Sequence, residues 1–310
     1  MNGSNQLNNS APSSPWLRRL VLTIGPVEEW RGDGAGSSGD MLQFTGDGSL
    51  ESFRISCTLC KNVMGQPSPS TISIYNLKMD TRNAMRKNLT RVIVEAGWNN
   101  TEMTKVFQGS FLSCVSERQG PDIISKISAL PGYGALTRSA STVTYAEGMP
   151  IKDAVKDLAG KLPGVTVSDE KLKEVNGSFG SGGWSFAGYT KDALTALADE
   201  FGFSWTVDDG NFQAVGDKAK FDEVVVLNGE EGGLISVVPT LEGPEQTQNG
   251  VSIKAVFVPS AIPGGTVRVK STITPGLDGD YRIGKLVYNL DTHSDVWTMD
   301  IESAKTDGGQ

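Results

Sequence analysis

ESFRISCTLCKN (residues 51–62) and STISIYNL (70–77) are two alternating runs separated by a proline-broken loop, and DTRNAMRKNL (80–89) follows directly. In the first run Phe53, Ile55, Cys57 and Leu59 occupy every second position, the period of a strand with one face buried. The second run alternates in the same way, so the two read as neighbouring antiparallel strands. A short helix is expected next, over residues 81–88. Asp80 is its expected N-cap, because its carboxylate can accept bonds from the free amides of the first turn. Arg82 and Arg86, four residues apart, then share one helix face.

Outward from this stretch the β pattern continues. LRRLVLTIG (17–25) reads as a first strand, GDGAGSSGD (32–40) as a flexible connection, and VIVEAGW, KVFQGSFLSCVSE and ISKISAL (124–130) as later strands. Together they give a first β-barrel domain over residues 16–130. The pattern then changes. Ile151, Ala154, Val155, Leu158 and Leu162 recur at helical spacing until Pro163 and Gly164 stop them. A short strand at 165–167 and a glycine-rich connection, GSFGSGGWSFAG (177–188), lead to a second helix, with Thr190 as expected N-cap and Gly202 as its stop. FSWTV and NFQAV then form a hairpin around Asp209-Gly210. Residues 131–215 therefore read as a small α+β domain. From residue 216 to 310 the alternation returns as a second β-barrel domain, with Trp297, Met299 and Ile301 on one core face. No repeat of fixed period is visible.

Composition narrows the function classes. The chain has 310 residues, 37 of them glycine, and a net charge of −8. Lys and Arg number 13 against 11 Asp and Glu in residues 16–130, 7 against 11 in 131–215, and 8 against 14 in 216–310, so the acidity lies in the last two thirds. Such a balance disfavours tight sequence-independent binding of nucleic acid, which needs clustered cations to release counterions. It leaves room for a channel through which DNA passes. No run of eighteen apolar residues is present to cross a membrane as a helix. MNGSNQLNNSAPSSP (1–15) reads as a disordered arm without the marks of a secretory signal, which points to folding in a cytoplasm.

Catalytic chemistry has little to work with. The single histidine, His293, sits in the turn DTHSD between Asp291 and Asp295, with Ser294 beside it but no nucleophile elbow around it. Cys57 and Cys60 have CxxC spacing, yet on a strand residues three apart face opposite ways, and no second pair completes a zinc site. Gly177, Gly180, Gly182 and Gly183 are not followed by the Gly-Lys-Ser/Thr of a phosphate loop. The adjacent carboxylates Glu28 with Glu29 and Glu230 with Glu231 read as solvated loops. No catalytic, cofactor-binding or metal-binding residue is assigned. The basic cluster Arg82, Arg86, Lys87 and Arg91 reads as the solvated face of a short helix or, functionally, as a protein–protein contact in which arginines meet carboxylates of a neighbouring subunit.

The order of fragments carries a family resemblance. STISIYNL with TRNAM, then AGW, VFQG and the ERQGPD turn (117–122), resembles the first barrel of baseplate hub proteins of contractile-tailed phages, which are related to the hub part of type VI secretion spikes. GGLISVVPTLEGPEQTQNGVSIKAVFVPSAIPGGTVRVKS (232–271) and DGDYRIGKLVYNLDTHSDVWTMDIES (278–303) resemble its later part. The resemblance implies a mainly β fold, with two tail-tube-like β-barrels flanking the α+β insertion, and a structural protein that is not an enzyme and holds no cofactor. It further implies a homotrimeric ring that adapts a six-fold tail tube to a three-fold central spike and forms part of the DNA conduit. Its partners would be itself, the spike protein, the tail tube protein, the tape-measure protein and baseplate wedge proteins, with DNA only in transit and no membrane insertion. No fused lysozyme domain is evident. The alternatives are a peptidoglycan-binding module and a carboxylate-dependent cell-wall hydrolase of the tail tip.

The polar arm offers little apolar area to offset the entropy of ordering it. Deleting residues 1–14 is expected to leave the melting temperature of the isolated protein unchanged. A large drop in a thermal melt refutes that reading.

Overall fold

The computed structural model describes residues 18–25, 41–63, 68–85, 91–98, 102–208, 210–216, 224–229, 233–242 and 247–305. The arm, the connection at 32–40 and Asp209 lie outside them. The fold is mainly β. Its first part runs β1 (Arg18–Gly25), β2 (Leu42–Gly46), β3 (Ile55–Asn62), β4 (Ser70–Tyr75), α1 (Met79–Ala84), β5 (Arg91–Trp98), β6 (Thr104–Gln119) and β7 (Asp122–Pro131). A mixed part follows with α2 (Tyr133–Arg138), β8 (Ala140–Tyr145), α3 (Ile151–Gly160), β9 (Thr166–Lys173), β10 (Trp184–Tyr189), α4 (Thr190–Phe201), β11 (Phe203–Asp208) and β12 (Asn211–Gly216). The last part holds β13 (Val224–Asn228), β14 (Leu234–Glu242), β15 (Thr247–Val256), β16 (Thr266–Lys270), β17 (Gly279–Asp291) and β18 (Trp297–Lys305).

The two outer parts share one thirteen-stranded sheet, ordered β14-β15-β18-β17-β3-β4-β7-β6-β5-β1-β2, with β16 on β17 and β13 on β16. The joint between them is β17 with β3, antiparallel from Lys285↔Asn62 to Asp291↔Ser56. Thr292, one residue beyond β17, accepts the Ile55 amide at 3.1 Å, and the Phe53 amide donates to the Thr45 carbonyl at 3.2 Å. These bonds tie the far strand β2 to the start of β3. One apolar cluster fills both parts, from Leu20 and Phe107 to Tyr288, Trp297 and Ile301, all within 2 % of full burial. Each such side chain contributes roughly 1.5–3 kcal/mol on burial.

The sheet contains a repeat of strand order that the residues conceal. Reading β3, β4, β6, β7 as first to fourth, their spatial order is first-second-fourth-third; β14, β15, β17, β18 have the same order. In each unit the third strand is long and its beginning is covered by an extra strand. β5 covers Thr104–Ser110 of β6, and β16 covers Gly279–Arg282 of β17. In each a bulge follows, between Phe111 and Ser113 in one and between Ile283 and Lys285 in the other. A bulge bends the strand and turns its far half towards a new neighbour.

The mixed part has its own core of α3 and α4 on short strands. Ile151, Ala154, Val155 and Leu158 are fully buried, as their spacing predicts. Gly202 ends α4 in the left-handed region at φ 66°, a conformation that glycine adopts without penalty. Three readings are corrected. Helix α1 is capped by extended Lys78 and starts at Met79, so Asp80 is not its N-cap but lies in the first turn, where its charge faces the helix dipole. Thr190 is likewise the first helical residue rather than the cap; its buried hydroxyl pairs with Ser139 and Ser141 at 2.6 and 2.7 Å. The end of the glycine-rich connection is strand β10, because Trp184 and Phe186 stack on one another and Trp184 on Tyr145. The unit is fastened to the sheet by Arg282, whose guanidinium donates to the carbonyls of Val215 and Gly216, and by the Thr206 hydroxyl on the Asn62 carbonyl.

Two glycines separate close backbone approach from free space. A Cβ on Gly250, in β15, would lie 1.8 Å from the Ser303 carbonyl oxygen of β18, whereas one on Gly160 at the end of α3 meets nothing within 4 Å. Gly250→Ala should destabilise by about 1–3 kcal/mol. Gly160→Ala should be neutral or stabilise by up to about 1 kcal/mol. Urea titrations of both variants check the contrast in sign.

Candidate assembly surface

Alternation leaves the sheet with a second face, opposite the core. Across the joint it runs through eight strands, from β14 to β6. One row of neighbours is Thr58, Thr71, Ser128 and Ser113, on β3, β4, β7 and β6. A second row, on β17, β18, β15 and β14, is Lys285, Glu302, Ser252 and Val238. Short hydroxyl side chains dominate the first four strands, and paired charges the others.

Cations and carboxylates on this face neutralise one another locally. Lys285 donates to Glu302 at 2.7 Å, which raises the lysine's pKa, and Lys126 pairs with Glu117, whose carboxyl is held below its ordinary value by that bond. Lys254 stands opposite Asp300 on the adjacent strand. Asn289 crosses the joint: its amide donates to Asp300 at 2.7 Å, and its oxygen accepts the Thr58 hydroxyl at 3.2 Å. Cys60 is half-buried on this face and Cys57 is buried on the other; burial raises both thiols' pKa values, so neither is a ready nucleophile.

At one end of the joint Arg54 lies 4.5 Å over the Tyr75 ring and donates to Asp291 at 2.9 Å. Burial pushes the Asp291 carboxyl up, but the bonds from Arg54 and from the His293 amide outweigh it and hold the group below its ordinary value. The Asp291 carboxylate is therefore engaged by Arg54 and by a main-chain amide. The exposed His293 ring meets the Thr292 hydroxyl through Nδ1 at 2.9 Å. Of the expected basic cluster, Arg82 lies on α1 and Arg91 does not. Arg91 begins β5 and is buried, its guanidinium donating to Gln108 Oε1 at 2.9 Å; Arg82 is half-buried in the last turn of α1, and Arg86 lies outside the described residues.

Elsewhere, a cleft of about 770 Å³ is lined by Arg268, Lys270, Asp278 and Asp280. Arg268 grips Asp280 at two points, 2.7 and 3.0 Å, and Asp278 accepts the Ser271 amide at 2.7 Å. The glycines at 177–183 form turns that lead into β10, not into a helix. Among the described residues no group of three or more His, Cys, Asp or Glu is arranged to hold a metal ion, and no helix is long and apolar enough to cross a membrane. Glu28, Glu29, Glu230 and Glu231 lie outside the described residues.

Comparison with known proteins gives the family of the chain. The family described as baseplate hub gp41 matches residues 42–303. The chain belongs to the baseplate hub gp41 family. A structural role in a phage tail baseplate follows from that membership. Solved structures share the fold of this hub at low identity. The 43 kDa tail protein of prophage MuSo2 from Shewanella oneidensis is 11% identical with a TM-score of 0.62, covering 94% of this chain and 97% of that one. A tail protein from Neisseria meningitidis MC58 is 13% identical with a TM-score of 0.61 over the same shares. The E. coli c3393 protein, described as a component of the type VI secretion system similar to T4 bacteriophage tail proteins gp27 and gp5, is 8% identical with a TM-score of 0.56, covering 83% of the hub and 75% of itself. No curated protein sequence matches the chain.

The Arg54–Asp291 pair gives a pH prediction. A carboxyl held below its ordinary value adds stability above about pH 4, and that stability is lost as pH falls through the lowered folded value. Asp291→Asn should cost about 1.5–3 kcal/mol at pH 7, the worth of a charged hydrogen bond. The difference from the parent protein should shrink as both are acidified. Chemical denaturation at neutral pH and near pH 3 measures it.

Proposed function

We propose that three copies of this hub close into a ring in the tail baseplate, with the polar face of the eight-strand run lining the lumen. The observation that carries the reading is the repeated four-strand unit, present twice per chain and joined edge to edge. Three chains then offer six similar units to a six-fold tail tube while keeping three-fold symmetry for the central spike. Cyclic symmetry lets such contacts close rather than grow into fibres.

In this reading residues 16–130 and 216–310 are the two ring-forming domains, and residues 131–215 are an outer appendage. The ring meets the spike protein on one side and the tail tube on the other. Tape-measure protein ends in the lumen, wedge proteins dock outside, and Arg82 contributes to a contact with a neighbouring subunit. The protein folds in the host cytoplasm, enters the virion tail and catalyses nothing. Its wall lets DNA through, since lysines already paired with Glu302 and Glu117 are poorly placed to neutralise phosphates and release the counterions condensed on the DNA. Screening over about 8 Å at physiological salt confines the effect to charges near the lumen.

An image of the assembled tail tests the ring. Three copies per hub with Thr58, Thr71 and Asn289 facing the channel are expected. Six copies, one copy, or a channel lined mainly by unpaired lysine and arginine overturns it.

A further inference from the structure

Four asparagines in the chain are followed by glycine: Asn2, Asn176, Asn228 and Asn249. A following glycine leaves its own amide nitrogen open to the asparagine side chain, because no Cβ shields it. What happens at such a pair depends on whether the fold holds that amide. Asn2 lies outside the described residues, and the structure separates the other three. Gly229, just past the end of β13, donates its amide to the Lys270 carbonyl at 3.2 Å. Gly250 is buried in β15, opposite Thr240 on one side and Ala304 on the other. Asn176 and Gly177 are exposed and lie in neither helix nor strand. The Gly177 carbonyl accepts the Ile151 amide at 3.0 Å, while its own amide meets no acceptor among the described residues.

The surroundings of this pair are fixed. The Phe179 amide donates to the Met149 carbonyl at 3.1 Å, the Gly148 amide donates to the Phe179 carbonyl at 2.9 Å, and Pro150 and Ser178 form a bridge between them. Val175 and Phe179, two residues to either side of Gly177, are buried, and the Phe179 ring stacks on Tyr145 with centroids 5.6 Å apart. The segment from Val175 to Phe179 therefore clamps the start of α3 between two anchored side chains.

We propose that Asn176 is a site of spontaneous deamidation, left open by the fold where Asn228 and Asn249 are protected, and that its isoaspartyl product loosens the start of α3. The Gly177 nitrogen attacks Cγ of Asn176, and its proton passes through solvent to the departing side-chain nitrogen. A bond from that backbone nitrogen to Cγ forms, the bond from Cγ to the side-chain nitrogen breaks, and ammonia leaves behind a five-membered imide. Water then adds to one of the two imide carbonyls. Opening at the side-chain carbonyl gives aspartate with an ordinary main chain; opening at the main-chain carbonyl gives isoaspartate, whose main chain runs through Cβ and Cγ. One water is consumed, one ammonia is released, and nothing is oxidised or reduced. Both products add a negative charge. Isoaspartate also lengthens the main chain by a carbon between Val175 and Phe179, and with both ends anchored the strain falls on the Gly177 carbonyl that holds the Ile151 amide.

The site is independent of the ring, and unaltered full-length hub tests it. The protein is incubated in mildly alkaline buffer made with heavy-oxygen water, digested and analysed by peptide mass, beside a sample kept in urea throughout. In the folded sample the Asn176 peptide should take up heavy oxygen and divide into aspartyl and isoaspartyl forms. The Asn228 peptide should convert roughly two- to tenfold more slowly, since the Gly229 amide must first leave Lys270. The Asn249 peptide should also lag, because β15 must open before its glycine can react. In urea the three should convert at similar rates. Folded hub in which Asn176 lasts as long as Asn228 overturns the site. The consequence is read separately, by hydrogen exchange at the Ile151 and Phe179 amides. Exchange there should quicken in aged hub and stay unchanged in the Asn176→Asp variant, which has the charge without the added carbon. Equal exchange in fresh and aged hub, or quickened exchange in Asn176→Asp, overturns the loosening by isoaspartate.

Discussion

The antiparallel ladder between β17 and β3 is the constraint on which the rest of the molecule depends. It joins residues more than two hundred apart in sequence, from Asn62 with Lys285 to Ser56 with Asp291. Each backbone bond in such a ladder is worth about 1 kcal/mol net. Its larger effect is geometric, because it merges two β regions into one sheet over one apolar core. Thr292, Arg54 and Asn289 then bond across or beside the ladder, so polar side chains reinforce what the backbone begins.

From that ladder follow two faces with different duties. The buried face is closed by Trp297, Tyr288, Phe107 and the β-branched residues around them, and tolerates little change of volume. Among the described residues the other face holds hydroxyls and locally neutralised charges. The mixed part is fastened to this sheet from one side by Arg282 and Thr206, and its helices bury their apolar stripes against their own short strands.

The bulges at Leu112 and Gly284 show how one strand can serve two neighbours. Before the bulge each strand is covered by an extra strand of its own unit, and after it each is released sideways. In β17 the released half finds β3.

The sequence by itself determined the local elements wherever alternation or helical spacing was strong. Ile55 to Leu59, Ile151 to Leu162 and Trp297 to Ile301 were legible because burial of one face imposes a period on residue type, whereas Phe53, expected on the same buried face, precedes β3 and is exposed. Ends and weak elements were not legible: Asp80 and Thr190 fell inside helices rather than before them, and β10 was hidden by glycines, since caps and short strands depend on neighbours that periodicity does not reveal. Arg91 looked like a surface cation and is buried against Gln108, because only the β5–β6 pairing brings that amide to it. Order of fragments carried the family and, through that resemblance, two tail-tube-like barrels, but no residue pattern showed which strands are equivalent. Equivalent positions, such as Thr58 and Val238 or Lys285 and Ser113, share no chemistry; they share a place in a ladder. Backbone hydrogen bonds set strand order and are indifferent to side-chain identity, so the matching of one unit's strands to the other's belongs to the tertiary structure alone.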